Sequence, residues 1–239
     1  MKGFLIALQF LTRLPGPRLK VSGEEFARSM RWFPAVGLVV GLLVAGATWV
    51  GALADPWVAA LAGLGVWVWV TGALHLDGLG DVADAMGAAH KDRSRMLAVL
   101  ADPHAGSFAV VAIGMQLLAK LVLLHGVVEQ GALLPLIAIP LAARIGPLVW
   151  TRWLPPLHEG LGARFRDAVG TSHLLLWVVF LLIAVWFAPA LAVTLPLVIL
   201  WGLWIRQSLG GISGDGHGAG IEMVETGLLL ALLVGGKIG

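Results

Sequence analysis

The chain contains no cysteine, no tyrosine and no asparagine among its 239 residues, and only 13% of them are charged. Without cysteine, disulfides and thiolate metal sites are both excluded, so any metal must be held by carboxylate, imidazole or phosphate. Soluble domains carry about 25% charged residues. The shortfall here, with 59% hydrophobic residues and a mean hydropathy of +0.90, excludes an ordinary soluble domain. A cleavable signal is missing too: no basic start leads into a short apolar core and a small-residue cleavage site. The composition reads as one all-α, polytopic integral membrane bundle over 1–239.

Tryptophan, by contrast, appears 11 times. Trp32, Trp57, Trp150, Trp153 and Trp204 fall near the ends of apolar stretches, as interfacial anchors do. A span needs about 20 mostly apolar residues, and about six to seven are expected. Four run Phe33–Ala54, Pro56–Leu76, Ala105–Val128 and Gly131–Leu154. A pair, Leu174–Ala188 and Ala190–Ile205, turns at Pro189, and the last runs from about Ala219 to Val234. The alternation in Val66-Trp67-Val68-Trp69-Val70 is strand-like, but within a long apolar run helix is the better reading. Met1–Leu14 is too short for a span. It reads as an interfacial segment ended by Pro15 and Pro17.

The net charge of +2 says little, and no nucleic-acid partner is expected; the placement of the charges says more. Lys2, Arg13, Arg18, Lys20, Arg28 and Arg31 precede the first span. Lys91, Arg93 and Arg95 follow the second; Arg152, Arg164 and Arg166 lie at or beyond the end of the fourth; Arg206 follows the sixth. The alternate connections around Asp55, Glu129 and Pro189 have no basic residue. The positive-inside rule therefore places the N-terminus and the basic loops in the cytoplasm. The expected setting is a prokaryotic cytoplasmic (inner) membrane with the active site facing the cytoplasm.

The acidic residues number only 14, and three of them sit in His75-Leu76-Asp77-Gly78-Leu79-Gly80-Asp81-Val82-Ala83-Asp84. Positions i, i+4 and i+7 share one helix face. Stacked like charges repel unless a cation lies between them. Hard oxygen donors in a row suit Mg2+ or Mn2+, which usually engage phosphates. Asp77, Asp81 and Asp84 are thus candidate catalytic metal ligands, and Asp102 is a further ligand or a general base. Arg93 and Arg95 in the adjoining loop can clamp phosphate oxygens. His75 is a candidate ligand or supporting partner, whereas His104, beside Pro103, reads as a turn residue.

A second polar region, Gly210-Gly211-Ile212-Ser213-Gly214-Asp215-Gly216-His217-Gly218-Ala219-Gly220, reads as a glycine-rich loop whose backbone can approach a ligand. It leads into a helix carrying Glu222 and Glu225 at i, i+3. Carboxylates within a span are costly and mark functional sites by default. Asp215, Glu222 and Glu225 are therefore candidates for binding a ligand, with pairing to buried Arg144 or Lys120 as the structural alternative. Arg144 needs either an acidic partner or a substrate phosphate. Lys120 either is buried or snorkels to the outer face.

With these residues in view the chain resembles the cobalamin synthase family, the adenosylcobinamide-GDP ribazoletransferases. The resemblance runs from Phe10-Leu11-Thr12-Arg13-Leu14-Pro15 and Trp32-Phe33-Pro34-Ala35-Val36-Gly37-Leu38 through the His75–Asp84 block. It continues through Asp92-Arg93-Ser94-Arg95-Met96 and Ala119-Lys120 to the Gly210–Ala219 block with Glu222 and Glu225. Departures are Asp102-Pro103 for Asp-Ser, Ala85 for glycine, and His217 for a small polar residue. None removes a carboxylate. The resemblance implies Mg2+-dependent joining of adenosylcobinamide-GDP to α-ribazole or its 5'-phosphate, with release of GMP. It implies these two substrates and the lipid bilayer as partners, and is compatible with a homo-oligomer.

Two other readings share features. A CDP-alcohol phosphatidyltransferase would use the same metal logic, yet Asp81 and Val82 stand where that signature has Ala-Arg. A secondary transporter would show inverted repeats, and the chain shows none.

Overall fold

The computed structural model describes residues 1–87, 93–157, 165–166 and 168–236. Among these the chain is helical, without strands, and its single isolated bridge joins Pro156 to Ile212. Five helices are long and apolar enough to cross a membrane, six if a bent pair is taken as one span.

α1 (Lys2–Leu11) is the expected short N-terminal helix, with Ile6, Ala7 and Leu11 buried. α2 (Gly23–Ser29) starts with a reciprocal capping box between Ser22 and Glu25, and a 3-10 turn leads into α3 (Phe33–Ala52). α4 (Pro56–Thr71) begins where Asp55 accepts the amides of Trp57 and Val58, with Pro56 in the first turn.

The expected span Pro56–Leu76 does not run through. Gly72 (φ +62°) ends α4 in the left-handed region, and Ala73 (φ +60°) follows it there. Left-handed alanine is strained. Two such residues in succession turn α5 (Leu74–Gly87) by 84° away from α4. The aspartate ladder therefore lies on its own helix, not on the tail of a span.

α6 (Arg93–Leu100) leads to α7 (Ser107–Glu129). The next span, Leu134–Trp153, is broken at Arg144 into α8 (Ala138–Ala143) and α9 (Ile145–Trp153). α10 (Thr171–Phe187) exposes Leu175, Leu176, Val179, Phe180, Ile183, Trp186 and Phe187, a surface suited to acyl chains and costly in water. α11 (Thr194–Leu209) ends at Gly210 (φ +82°). α12 (Gly214–Gly235) completes the bundle and packs against α5, α7 and α8.

α12 corrects the sequence reading. Gly214 to Gly220 are its first two turns, capped by Ser213, and the helix starts five residues before the expected Ala219. The glycines there serve close packing: Gly220 lies against Trp150 and Trp201. The Trp201 indole donates to the Gly216 carbonyl at 3.0 Å.

Candidate functional site

The site is built where α5 crosses α12. A Cβ on Gly78 would stand 2.8 Å from the Asp215 Cα, and one on Gly218 would stand 3.2 Å from the His75 Cα. Small residues on both helices allow this backbone approach, as in close membrane-helix crossings. The approach carries Asp215, in the first turn of α12, to the ladder. Asp81 is partly buried and feels the like charges of Asp215, Asp77 and Asp84. Two segments 131 residues apart, counted from Asp84 to Asp215, thus contribute to one carboxylate cluster.

The members of the ladder are not equivalent. Asp84 accepts the Gly106 amide at 2.6 Å and the Ala109 amide at 3.0 Å, satisfying free N–H groups at the start of α7. Ser213 Oγ lies 3.5 Å from Asp215 Oδ2 and accepts the Gly216 amide at 3.0 Å. Among the described residues, no three Asp, Glu or His side chains are arranged as a ready-made metal cage. The donor set still fits Mg2+, which needs only one or two carboxylates, keeps several waters and takes its other oxygens from phosphates.

Asp102 lies apart from the cluster in its contacts. Its carboxylate accepts the His104 amide at 3.0 Å and lies 2.7 Å from the ring Nδ1. The side-chain hydrogen bond to His104 holds this exposed carboxyl below the usual carboxylate range, and Arg95 adds to the effect. His104 is therefore the partner of Asp102 in a turn, as its place beside Pro103 suggests. Arg93 donates to the Leu209 carbonyl at 3.3 Å, at the C-terminus of α11, where a cation is favoured. It links the basic loop to the segment leading to Asp215. The Lys91-Asp92 part of that loop and Arg164 lie outside the described residues.

Glu222 and Glu225 sit deeper along α12 and are paired. Lys120 Nζ is 2.7 Å from Glu222 and 2.6 Å from Glu225. Arg144 Nη1 donates to Glu225 at 2.8 Å and to the Pro140 carbonyl at 2.9 Å. Gln116 donates to Glu222 Oε2 at 2.8 Å. All four charged side chains are at most 5% exposed, so two cations balance two anions in the interior of the bundle. Lys120 does not snorkel; it lies 4.4 Å from the Trp67 ring centre and adds a cation–π contact. This is the structural alternative for the glutamates. The sequence gives a signal for it that is easy to overlook: Gln116 and Lys120 at i, i+4 in one span answer Glu222 and Glu225 in another.

Arg144 also reaches His75, Nη2 lying 3.4 Å from Nδ1. Among the described residues, His75 Nε2 is buried without a partner, as is Nδ1 of His217. Both histidines line a cavity of about 210 Å3 that also contains Asp77 and Asp215. A larger groove of about 720 Å3 on another side of α5 is lined by Leu79, Met86, Phe108, Trp201, Trp204 and other residues without ionisable groups. The ionisable side chains therefore gather at the smaller space.

A family model described as cobalamin-5-phosphate synthase matches residues 3–233. A protein of Novosphingobium aromaticivorans named adenosylcobinamide-GDP ribazoletransferase is 65% identical, over 99% of this chain and 98% of its own length. Proteins of the same name from Thiobacillus denitrificans and Clostridioides difficile are 48% and 31% identical. They cover 96% of this chain each, and 94% and 96% of their own lengths. No solved structure matches.

Proposed function

Because the chain belongs to the cobalamin-5-phosphate synthase family of enzymes, we propose that it joins adenosylcobinamide-GDP to α-ribazole or α-ribazole 5'-phosphate. GMP leaves, and adenosylcobalamin or its 5'-phosphate forms. A ribose hydroxyl of the ribazole other than the 5' one, which bears the phosphate in the phosphorylated acceptor and product, attacks the cobinamide-linked phosphorus and loses its proton to water, and the bond from that phosphorus to the bridging oxygen breaks. The observation that carries this reading is the carboxylate cluster, with Asp215 brought beside Asp77, Asp81 and Asp84. Four like charges so placed call for a cation, and a diphosphate donor calls for the same cation.

In this reading Asp77, Asp81 and Asp215 hold Mg2+, or Mn2+ in its place. Bound there, the ion supplies charge neutralisation to the diphosphate. Asp84 has a second duty, since its oxygens also anchor the start of α7. Arg93 and Arg95 hold phosphate oxygens of the nucleotide. Arg93 is already tethered through one nitrogen to the Leu209 carbonyl, which fixes where the rest of its guanidinium lies. Glu222, Glu225 and Arg144 act at a distance: they lock α7, α8 and α12 together and so hold the α5 crossing. The placement of the basic loops supports a cluster on the cytoplasmic side of the inner membrane, where a soluble nucleotide can leave.

The test is GMP release from adenosylcobinamide-GDP by the purified chain, with and without ribazole and Mg2+. Release that depends on both supports the reading. Release without ribazole, or full rate in chelator, contradicts it.

A further inference from the structure

We infer that the cavity between α5, α9 and α12 is the seat of the acceptor's aromatic base, held by the Nε2–H of His75. The inference rests on the reaction proposed above and adds a place for its smaller substrate. An arginine nitrogen only donates, so the contact from Arg144 fixes Nδ1 of His75 as the acceptor and leaves the ring proton on Nε2. That Nε2–H is buried and without a partner among the described residues, and His75 is one of the residues lining the cavity. A buried donor without a partner is costly, and a ligand acceptor removes that cost.

His217 supplies the complementary group. Thr151 donates its hydroxyl toward Met30 Sδ, at 3.5 Å, and lies 3.2 Å from His217 Nε2. The ring nitrogen facing Thr151 is thereby satisfied, and Nδ1 has no partner among the described residues. The cavity wall thus offers the His75 donor and an unpartnered His217 ring nitrogen, beside the carboxylates of Asp77 and Asp215. A ribosylated benzimidazole matches them: its unsubstituted ring nitrogen accepts from His75, and a ribose hydroxyl, which can donate or accept, meets His217.

Size and polarity decide against the other substrate parts. At about 210 Å3 the cavity is smaller than the ~300–1,000 Å3 of drug-sized sites, so a corrin does not fit. Guanine has several polar edge groups; with the Asp77 and Asp215 carboxylates committed to the cation in the proposed reaction, most of them would go unpaired between Phe10, Phe33, Phe165 and Ile221, which is costly. A methylated two-ring base with a single bare nitrogen has no such excess. Seated there, it brings the attached ribose toward Asp77 and Asp215, the end where phosphorus must be attacked.

The experiment uses the full chain in lipid nanodiscs with Mg2+ and radiolabelled α-ribazole. Equilibrium dialysis gives acceptor binding, and steady-state GMP release gives separate KM values for acceptor and donor. His75→Ala is expected to weaken ribazole binding and raise the acceptor KM at least about tenfold. The donor KM should stay within about twofold, and His75→Gln, which restores a donor, should recover part of the loss. Gly214→Leu is the second variant. Gly214 lines the cavity and has open space where its side chain would begin, so the new side chain fills the cavity without a backbone clash; ribazole binding should be lost. A shift in the donor KM instead, or unchanged ribazole binding in both His75→Ala and Gly214→Leu, overturns the inference. A wild-type chain that binds ribazole but releases no GMP would refute the proposed reaction and leave the cavity assignment supported.

Discussion

At the scale of single residues, the ladder reads as three equal carboxylates in sequence and becomes three different ones in the fold. Asp84 is tied to two amides at the start of α7, so Asp84→Ala should cost stability as well as activity. Loss of a helix cap is worth about 1 kcal/mol, readable as a lower Tm in detergent. The corresponding change at Asp77, which is exposed, should cost activity with little change in Tm. The buried glutamates behave oppositely. Glu225→Ala leaves the Arg144 charge without its acidic partner while Lys120 keeps only Glu222, and breaking such a buried network costs about 3–5 kcal/mol. Thermal unfolding of this variant should show a far larger drop than that of Asp77→Ala, and a small drop would argue that water reaches the pair.

At the scale of elements, most helices were legible, because long apolar runs bounded by proline and charge leave few alternatives. Two features were not. The break at Gly72-Ala73 hides inside an apolar run, since nothing in an alanine announces a left-handed backbone. The stretch Gly214–Gly220 looks like a loop by propensity, and only the packing of α12 against His75, Trp150 and Trp201 explains its helical form. That crossing also explains why Asp215 could be named as a candidate but not placed: its nearness to Asp81 depends on glycines in two distant segments. Gly78→Ala tests the crossing. Its new Cβ meets the Asp215 backbone at 2.8 Å, so α12 must shift. Displacing a supporting contact of this kind typically weakens metal affinity by about 10–100-fold. The Mg2+ concentration for half-maximal GMP release should rise accordingly; an unchanged Mg2+ requirement would mean that Asp215 is not part of the site.

At the scale of the whole molecule, the apolar helices make a multi-pass bundle, and the positive-inside rule proposes its orientation from the basic loops. The absence of cysteine makes this orientation directly testable. Gln207 and Glu129 are exposed and lie at opposite ends of the bundle by the charge rule. In intact spheroplasts a membrane-impermeant maleimide should label Glu129→Cys and spare Gln207→Cys until the membrane is opened; the reverse pattern would turn the molecule over and with it the nucleotide-facing side. The central claim is that Asp81 on α5 and Asp215 on α12 form one phosphate-handling, divalent-cation site. Its most direct test is Mg2+-dependent GMP release by Asp81→Asn, Asp215→Asn and the double variant in nanodiscs. Each single change should slow release by about a hundredfold or more. The double variant should be scarcely slower than the worse single one, because groups acting as a unit are not additive. An Asp81→Asn enzyme of wild-type rate, or two losses that simply multiply, would contradict the account.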